Sequence, residues 1–440
     1  MQRYIIIGTG AAGIAAAEAI RSCDRNGNIL LLGDEPFGYY SRPGLAYYLT
    51  GELNEKQLYP FTEADFRRLG FRPRHARVLR IDPGRHSLML EHGETLIYDR
   101  LLIATGSEAA RGNVSGENLK GVVKLDNLND AREILKLARK RATAVVVGGG
   151  ITALEIVEGL LARGVRTHYF LRRERYWHNV LDETESHIVE ERLREHGVRI
   201  RYNTELAEIL GRNGKVIAVR TKAGRQFACQ LVAIAVGVVP RKELGVACGL
   251  EAERGLLVDE YLQTSQEDIF AAGDVAQVYD PFTKKSIIDT LWGPAREQGT
   301  AAGFNMAGKR FPYRKSIAFN VTRLAGLTTT IIGTVGRGRD EDLVSIARGD
   351  SETWRQLPDA IIAQDNFEVN RLRLLIGERT ILGAIVMGDQ TLSRPIQQLV
   401  AEQVDISMMR ERLLQPRAPI ADLIAGFWTT WRTEHVHQHA

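Results

Sequence analysis

Two glycine clusters carry the chemistry most readily read from this 440-residue chain. The first, Gly8-Thr9-Gly10-Ala11-Ala12-Gly13, follows an apolar run at residues 4–7 and opens an Ala-rich stretch, 14–21, with apolar residues at helical spacing. A second apolar run, 29–32, ends at Asp34-Glu35. In this order of strand, turn, helix, strand and acid, Gly8 permits the tight turn and Gly10 lets the backbone approach a pyrophosphate. Gly13 allows close helix–strand packing, and the helix N-terminus offers free N–H groups and its dipole to phosphates. Asp34 or Glu35 is placed to accept hydrogen bonds from a ribose, with Glu35 the favoured of the two.

The device recurs. Residues 143–147 form an apolar strand, Gly148-Gly149-Gly150-Ile151-Thr152-Ala153 is GxGxxA, 154–162 reads as helix, and 169–171 closes a second strand. Two such turns imply two dinucleotides, since a dehydrogenase using one nucleotide needs only one. At the second turn the acidic position is taken by Leu171, followed by Arg172, Arg173 and Arg175. A carboxylate there would repel a 2′-phosphate, whereas guanidinium groups pair with it. NADPH is therefore favoured over NADH; the alternative is that these arginines face solvent.

The length requires two or three domains to position these turns. The composition, 44% hydrophobic and 25% charged, is that of a globular protein. A net charge of +4 gives no nucleic-acid footprint. A pI near 8.9 suits an acidic partner or simply an Arg-rich surface. Cys23, Cys229 and Cys248 are far apart, which excludes a disulfide scaffold and any local zinc or iron–sulfur motif. The first residues lack the pattern of a secretory signal, and no apolar run approaches the roughly 20 residues of a membrane span. A cytoplasmic enzyme without membrane contact is expected.

Taken with these turns, the chain resembles the FAD-dependent pyridine nucleotide–disulfide oxidoreductases, in the branch of rubredoxin and ferredoxin reductases and the flavin domain of nitrite reductase. The resemblance runs from Met1 to about Gly388. Leu101-Leu102-Ile103-Ala104-Thr105-Gly106 matches the family's ATG turn, and residues 232–237 followed by Pro240 match its return crossing. Ile269-Phe270-Ala271-Ala272-Gly273-Asp274 matches its second flavin motif, in which the Asp bonds a ribityl hydroxyl and the following helix points at the pyrophosphate. Trp292, Ala295, Gln298 and Gly299 match WxxAxxQG, which places an aromatic beside the isoalloxazine. Asp34-Glu35-Pro36 leads into Tyr40-Ser41-Arg42-Pro43-Gly44-Leu45, similar to the segment under the flavin, with Arg42 near the pyrophosphate and Pro43 against the ring. The resemblance extends the flavin contacts to Ala12 and Val78. It gives the nicotinamide dinucleotide Gly148, Gly150, Ile151, Thr152, Gly237, Arg172 and Arg173. Glu155 matches the acid near the nicotinamide, although a mid-helix Glu is as readily a solvent-facing one.

The resemblance implies two Rossmann-like dinucleotide-binding domains of glutathione-reductase type plus a C-terminal α+β interface domain. Residues 1–110 and 230–312 are the expected FAD domain, 111–229 the NAD(P)H domain, and 313–440 the interface domain that builds a homodimer in relatives. Within the last, 321–333 reads as a β-like run, and 395–404 and 406–414 as helices. A stripe of Leu423, Ile424, Phe427, Trp428 and Trp431 reads as core or subunit contact, ahead of partner docking or membrane anchoring.

One departure is informative. Relatives that use a thiol carry a reactive Cys where this chain has Pro43, or a Cys pair on the first long helix; this chain has neither. Thiolate chemistry is thus absent at the flavin, and Cys23 reads as a packing residue at a helix end. Ferredoxin reductases often have Lys where Tyr47 stands, which leaves the acceptor open. The expected activity is hydride transfer from NAD(P)H to FAD, then electron transfer to an iron–sulfur carrier or a larger redox complex, with no metal of its own. An NAD(P)H oxidase, or a dinucleotide-binding subunit with a sensor or scaffold role, are the alternatives.

Overall fold

A computed structural model describes residues 1–281, 284–335, 344–349 and 371–435 of the chain. Its principal elements begin with β1 (Arg3–Ile7), α1 (Ala11–Cys23), β2 (Asn28–Gly33), α2 (Gly44–Thr50), β3 (Phe71–His75), β4 (Arg100–Ile103) and β5 (Val122–Val123). They continue with α3 (Leu128–Leu137), β6 (Thr143–Val147), α4 (Ile151–Ala162), β7 (Arg166–Phe170), α5 (Glu183–Glu195), β8 (Leu231–Ile234), β9 (Ile269–Ala271) and α6 (Trp292–Met306). The C-terminal set is β10 (Phe319–Leu324), β11 (Leu327–Gly333), β12 (Val344–Gly349), β13 (Arg371–Ile376), β14 (Ile381–Met387), α7 (Ser393–Ala401), α8 (Ser407–Leu414) and α9 (Ile420–His435).

The continuous apolar runs become central strands covered on both faces, as parallel sheets require. One parallel sheet has the order β9-β4-β1-β2-β3. A second set of parallel strands runs β7-β6-β8-β5. Each contains the βαβ unit expected from its glycine turn, β1–α1–β2 and β6–α4–β7. The second strand ends one residue early, so Leu171 is a buried residue just beyond β7.

By contacts the chain divides into two units. The first takes Met1–Phe170 and Thr204–Lys315 and holds both glycine turns. The second takes Leu171–Asn203 with the described residues from Ser316 onward. Buried charges explain why α5 groups with the C-terminal sheet. Arg373 donates to Glu185 Oε1 at 2.8 Å, Val180 O at 2.7 Å and Val335 O at 3.1 Å, and Arg371 donates to Asp182 Oδ2 at 2.8 Å. Asp182 also caps α5 through its side chain. Glu185 has no exposed surface, so its charge depends on Arg373 and on Arg371, whose Nε lies 3.8 Å away.

In the second unit the antiparallel sheet β10-β11-β14-β13-β12 packs against the three C-terminal helices through one apolar cluster. The run expected at 321–333 is two strands, because the chain reverses at Ala325 and Gly326, both with positive φ (+50° and +79°). Helix α7 starts at Ser393 and ends at Ala401, with Pro395 in its first turn, where a missing N–H is tolerated. The aromatic stripe joins this unit's own core. Ile424 is buried, Leu423, Phe427, Trp428 and Trp431 pack on the cluster, and Trp428 Nε1 donates to Gln398 Oε1 at 2.8 Å. No described helix is long and apolar enough to cross a membrane.

Cys23 corrects the sequence reading. It is exposed at the last position of α1 rather than packed, because the apolar face of the helix ends at Ile20.

Candidate functional site

The first glycine turn divides into positions that are sterically required and one that is open. Gly8 has φ +122°, and a Cβ there would lie 2.0 Å from Ala104 O. A Cβ at Gly13 would lie 2.0 Å from Gly8 O. Gly10, the N-cap of α1, has φ −82°, and a Cβ there would meet nothing within 4 Å. Helix α1 has no side-chain cap and no acid in its first turn, whereas Asn127 caps α3 with its side chain. The first-turn N–H groups, including that of Ala12, are thus left to an external acceptor with open space above them.

Two further turns belong to the same sheet. Ala104 follows β4 and donates to Ile7 O at 2.8 Å. Thr105 Oγ1 donates to Arg241 O at 2.8 Å, and Gly106 adopts φ +69°. Beyond β9, Gly273 has φ +80°, and Asp274 Oδ2 accepts from Ser107 Oγ at 2.6 Å. Burial pushes the Asp274 carboxyl above its ordinary range, while the Ser107 hydrogen bond and the Arg42 charge pull the other way. The helix expected directly after Asp274 is α6, which begins only after a hairpin of Ala276–Asp280 and Lys285–Ile288.

Helix α6 lies backbone to backbone on α1. A Cβ at Gly299 would sit 2.1 Å from Ala12 O, and one at Gly303 2.4 Å from Ala16 O. Gln298, fully buried, accepts from Gly273 N–H at 2.8 Å and so ties the Asp274 turn to α6. Trp292 stands at the helix start, 48% exposed, with Arg296 5.4 Å from its ring centroid and held by Glu18 at 3.0 Å. It is a surface aromatic, not a core residue.

After β2, Asp34 is exposed and Glu35 is half-buried. Glu35 accepts from Tyr40 OH at 2.7 Å and pairs with Arg42. Arg42 thus pairs with Glu35 while its charge also reaches the Asp274 carboxyl. Pro43 is the exposed N-cap of α2, and Val78 is half-buried at the start of the strand Val78–Asp82.

The second turn repeats the first. Gly148 has φ +148°, and a Cβ there would lie 2.1 Å from Ala235 O, whereas Gly149 and Gly150 face open space. Helix α4 has neither a side-chain cap nor a first-turn acid. Ile151 is half-buried and Thr152 exposed on that turn. Glu155, one turn further, is half-buried, and its carboxyl is pushed up to about 7 by burial and by the neighbouring Glu158. Gly237 has φ +122°, with open space at its Cβ position and exposed Val236 and Val238 beside it. Arg172 and Arg173 are exposed and belong to the second unit.

Burial pushes the thiol of Cys229 up to about 12 and also raises that of Cys248. Neither is a ready thiolate. The first cradle fits FAD: an open anion seat, an acid at each end and an arginine between. The second fits a nicotinamide dinucleotide. Nothing in the sequence pointed to Asp126, nor to the bonds by which the motif residues Tyr40 and Gln298 tie to Leu128 and Gly273.

Comparison with known proteins identifies the family. Residues 2–299 match the pyridine nucleotide-disulphide oxidoreductase family. The chain is 31% identical over 274 residues to rubredoxin-NAD(+) reductase of Pseudomonas putida, covering 62% of this chain and 71% of that one. It is 25% identical over 418 residues to the assimilatory nitrate reductase electron transfer subunit of Bacillus subtilis (strain 168), spanning 94% of this chain but 51% of that subunit. The putidaredoxin reductase–putidaredoxin complex superposes with a TM-score of 0.84 at 24% identity, covering 97% of this chain and 98% of that one. The chain belongs to the pyridine nucleotide-disulphide oxidoreductase family and is an NAD(P)H-dependent flavoprotein oxidoreductase.

Proposed function

We propose that the enzyme carries electrons from NADPH, in preference to NADH, to a small iron–sulfur protein or a larger redox complex. FAD is held along the first cradle by Gly8, Gly10, Ala12 and Gly13, with Glu35 at the adenosine ribose and Arg42 at the pyrophosphate. Ala104, Thr105, Gly106, Gly273 and Asp274 serve the ribityl side, with Pro43, Val78 and Trp292 near the ring. Gly148, Gly150, Ile151, Thr152 and Gly237 hold the nicotinamide dinucleotide, and Arg172 and Arg173 bind the 2′-phosphate. Bound there, FAD would supply a hydride acceptor able to pass electrons on singly. The chain itself orients the two rings and keeps Glu155, a proton-holding group, beside the nicotinamide.

The observation that carries this reading is the pair of open, uncapped helix N-termini in one contact unit, with Pro43 where thiol-using relatives have Cys. The names of the relatives favour a redox protein as acceptor. Residues 1–110 and 230–312 form the flavin domain in this reading, and 111–229 the nicotinamide domain. Residues 313–440 form the dimer interface, and the protein works in the cytoplasm apart from nucleic acid and membranes. The test compares NADPH- and NADH-driven reduction of rubredoxin, a [2Fe–2S] ferredoxin and oxygen, with and without Arg172→Ala/Arg173→Ala. The expected result is carrier reduction far above oxygen consumption, and a loss of about tenfold or more in NADPH preference in the variant. Oxygen consumption matching every carrier would instead make the protein an oxidase.

A further inference from the structure

Asp126 lies outside every sequence motif, on the segment between β5 and α3. Its carboxylate is 8% exposed, accepts from Arg241 Nη2 at 2.9 Å and has Lys124 Nζ at 3.7 Å. Its own carbonyl accepts from Arg42 Nη1 at 2.6 Å. Arg241 is bound in turn to the ATG turn: its N–H donates to Gly106 O at 2.9 Å, and its carbonyl accepts from Thr105 Oγ1 at 2.8 Å. Two residues after Asp126, Leu128 N–H donates to the Tyr40 hydroxyl at 3.1 Å, and that hydroxyl donates to Glu35 at 2.7 Å. One short segment therefore grips the acid that follows β2, the arginine beside it and the ATG turn.

We infer that Asp126 is a positioning residue for FAD, a conclusion that rests on FAD occupying the first cradle. Arginine offers five N–H donors. Those of Arg42 that reach Glu35 and the Asp126 carbonyl fix the plane of the guanidinium and leave the others for a phosphate. A half-exposed arginine without such anchors must be ordered at binding, which weakens affinity. The Asp126 carboxylate holds its own carbonyl in place through Arg241 and Lys124, so Arg42 and the ATG turn are set before the ligand arrives. A buried carboxylate is tolerated here because two cations face it.

The test is the rate of FAD release from full-length holoprotein, followed by recovery of free-flavin fluorescence. Asp126→Ala is expected to release FAD about tenfold faster, the factor for losing one hydrogen bond to a charged group. Asp126→Asn keeps an oxygen for Arg241 and is expected to stay near the parent rate. Arg241→Met, which leaves Asp126 intact but with only the more distant Lys124 facing it, should approach the Asp126→Ala rate and serves if the alanine variant does not fold. A ratio of Asp126→Ala to Asp126→Asn rates below three, or an Arg241→Met rate equal to the parent rate, overturns the inference. A parent protein that takes up no FAD at all overturns the functional reading instead.

Discussion

An alanine at position 10 would add one methyl group at the N-cap of α1, where the backbone already has φ −82° and a Cβ would meet nothing within 4 Å. The protein's own fold therefore has little reason to object. Alanine is a poorer N-cap than glycine, but it lowers the entropy of the unfolded chain by an amount worth about 0.4–1 kcal/mol. These effects oppose each other, and the flavin-free variant should melt within about 2 °C of the parent. FAD should respond very differently, because in the proposed cradle the methyl group would occupy the space through which the pyrophosphate reaches the helix N-terminus. Losing two charge-assisted hydrogen bonds at about 1.5–3 kcal/mol each weakens FAD by at least about a hundredfold. Gly13→Ala is the contrast: its Cβ would lie 2.0 Å from Gly8 O, so both stability and FAD binding should fall. Calorimetric melting of the flavin-free proteins and FAD titration by fluorescence quenching measure the two quantities separately. A Gly10→Ala protein that binds FAD as tightly as the parent would refute the assignment of the anion seat.

Other outcomes follow from the same geometry. The Glu155 carboxyl is raised from 4.5 to about 7 in the fold, so its stabilising contribution is complete below the unfolded value and is lost as pH climbs through about 7. Thermal melts from pH 5 to 8 should therefore show Glu155→Gln gaining on the parent as pH rises; parallel curves would contradict this. Arg373→Met removes the nearer cation of the fully buried Glu185, leaving Arg371 at 3.8 Å, and should cost about 3 kcal/mol, whereas Arg373→Met with Glu185→Met should recover most of it. Denaturant unfolding of the two variants checks the difference, and equal losses would count against a buried charge. Gly150→Ala should weaken the nicotinamide dinucleotide while leaving FAD content unchanged, as measured by calorimetric titration of the holoprotein.

Local pattern made much of this molecule legible. Gly13 is forced by the backbone of Gly8 just before it, and Gly8 and Gly148 by a positive φ directly after a strand, so each turn carries its own signature. The ATG turn and Asp274 likewise follow apolar strands. What stayed hidden depends on partners distant in sequence. Nothing near Gln298 says that it will reach Gly273 N–H, and nothing near Asp126 announces Arg42 and Arg241. Arg371 and Arg373 alternate with leucines, as on a half-exposed strand, yet both are buried because α5 brings Asp182 and Glu185 to them. The hairpin at Ala325 escaped because alanine seldom adopts positive φ. Cys23 was misplaced because a helix end gives no periodicity to decide which way its last residue faces.

Hydride transfer requires the two cradles to hold a flavin and a nicotinamide close together. Anaerobic mixing of the purified holoprotein with NADPH, and separately with NADH, tests this in one experiment through the visible absorbance of oxidised flavin. Rapid bleaching with at least one of the two, abolished by Gly150→Ala at subsaturating dinucleotide, is the predicted result. Bound flavin that keeps its colour with both would contradict it.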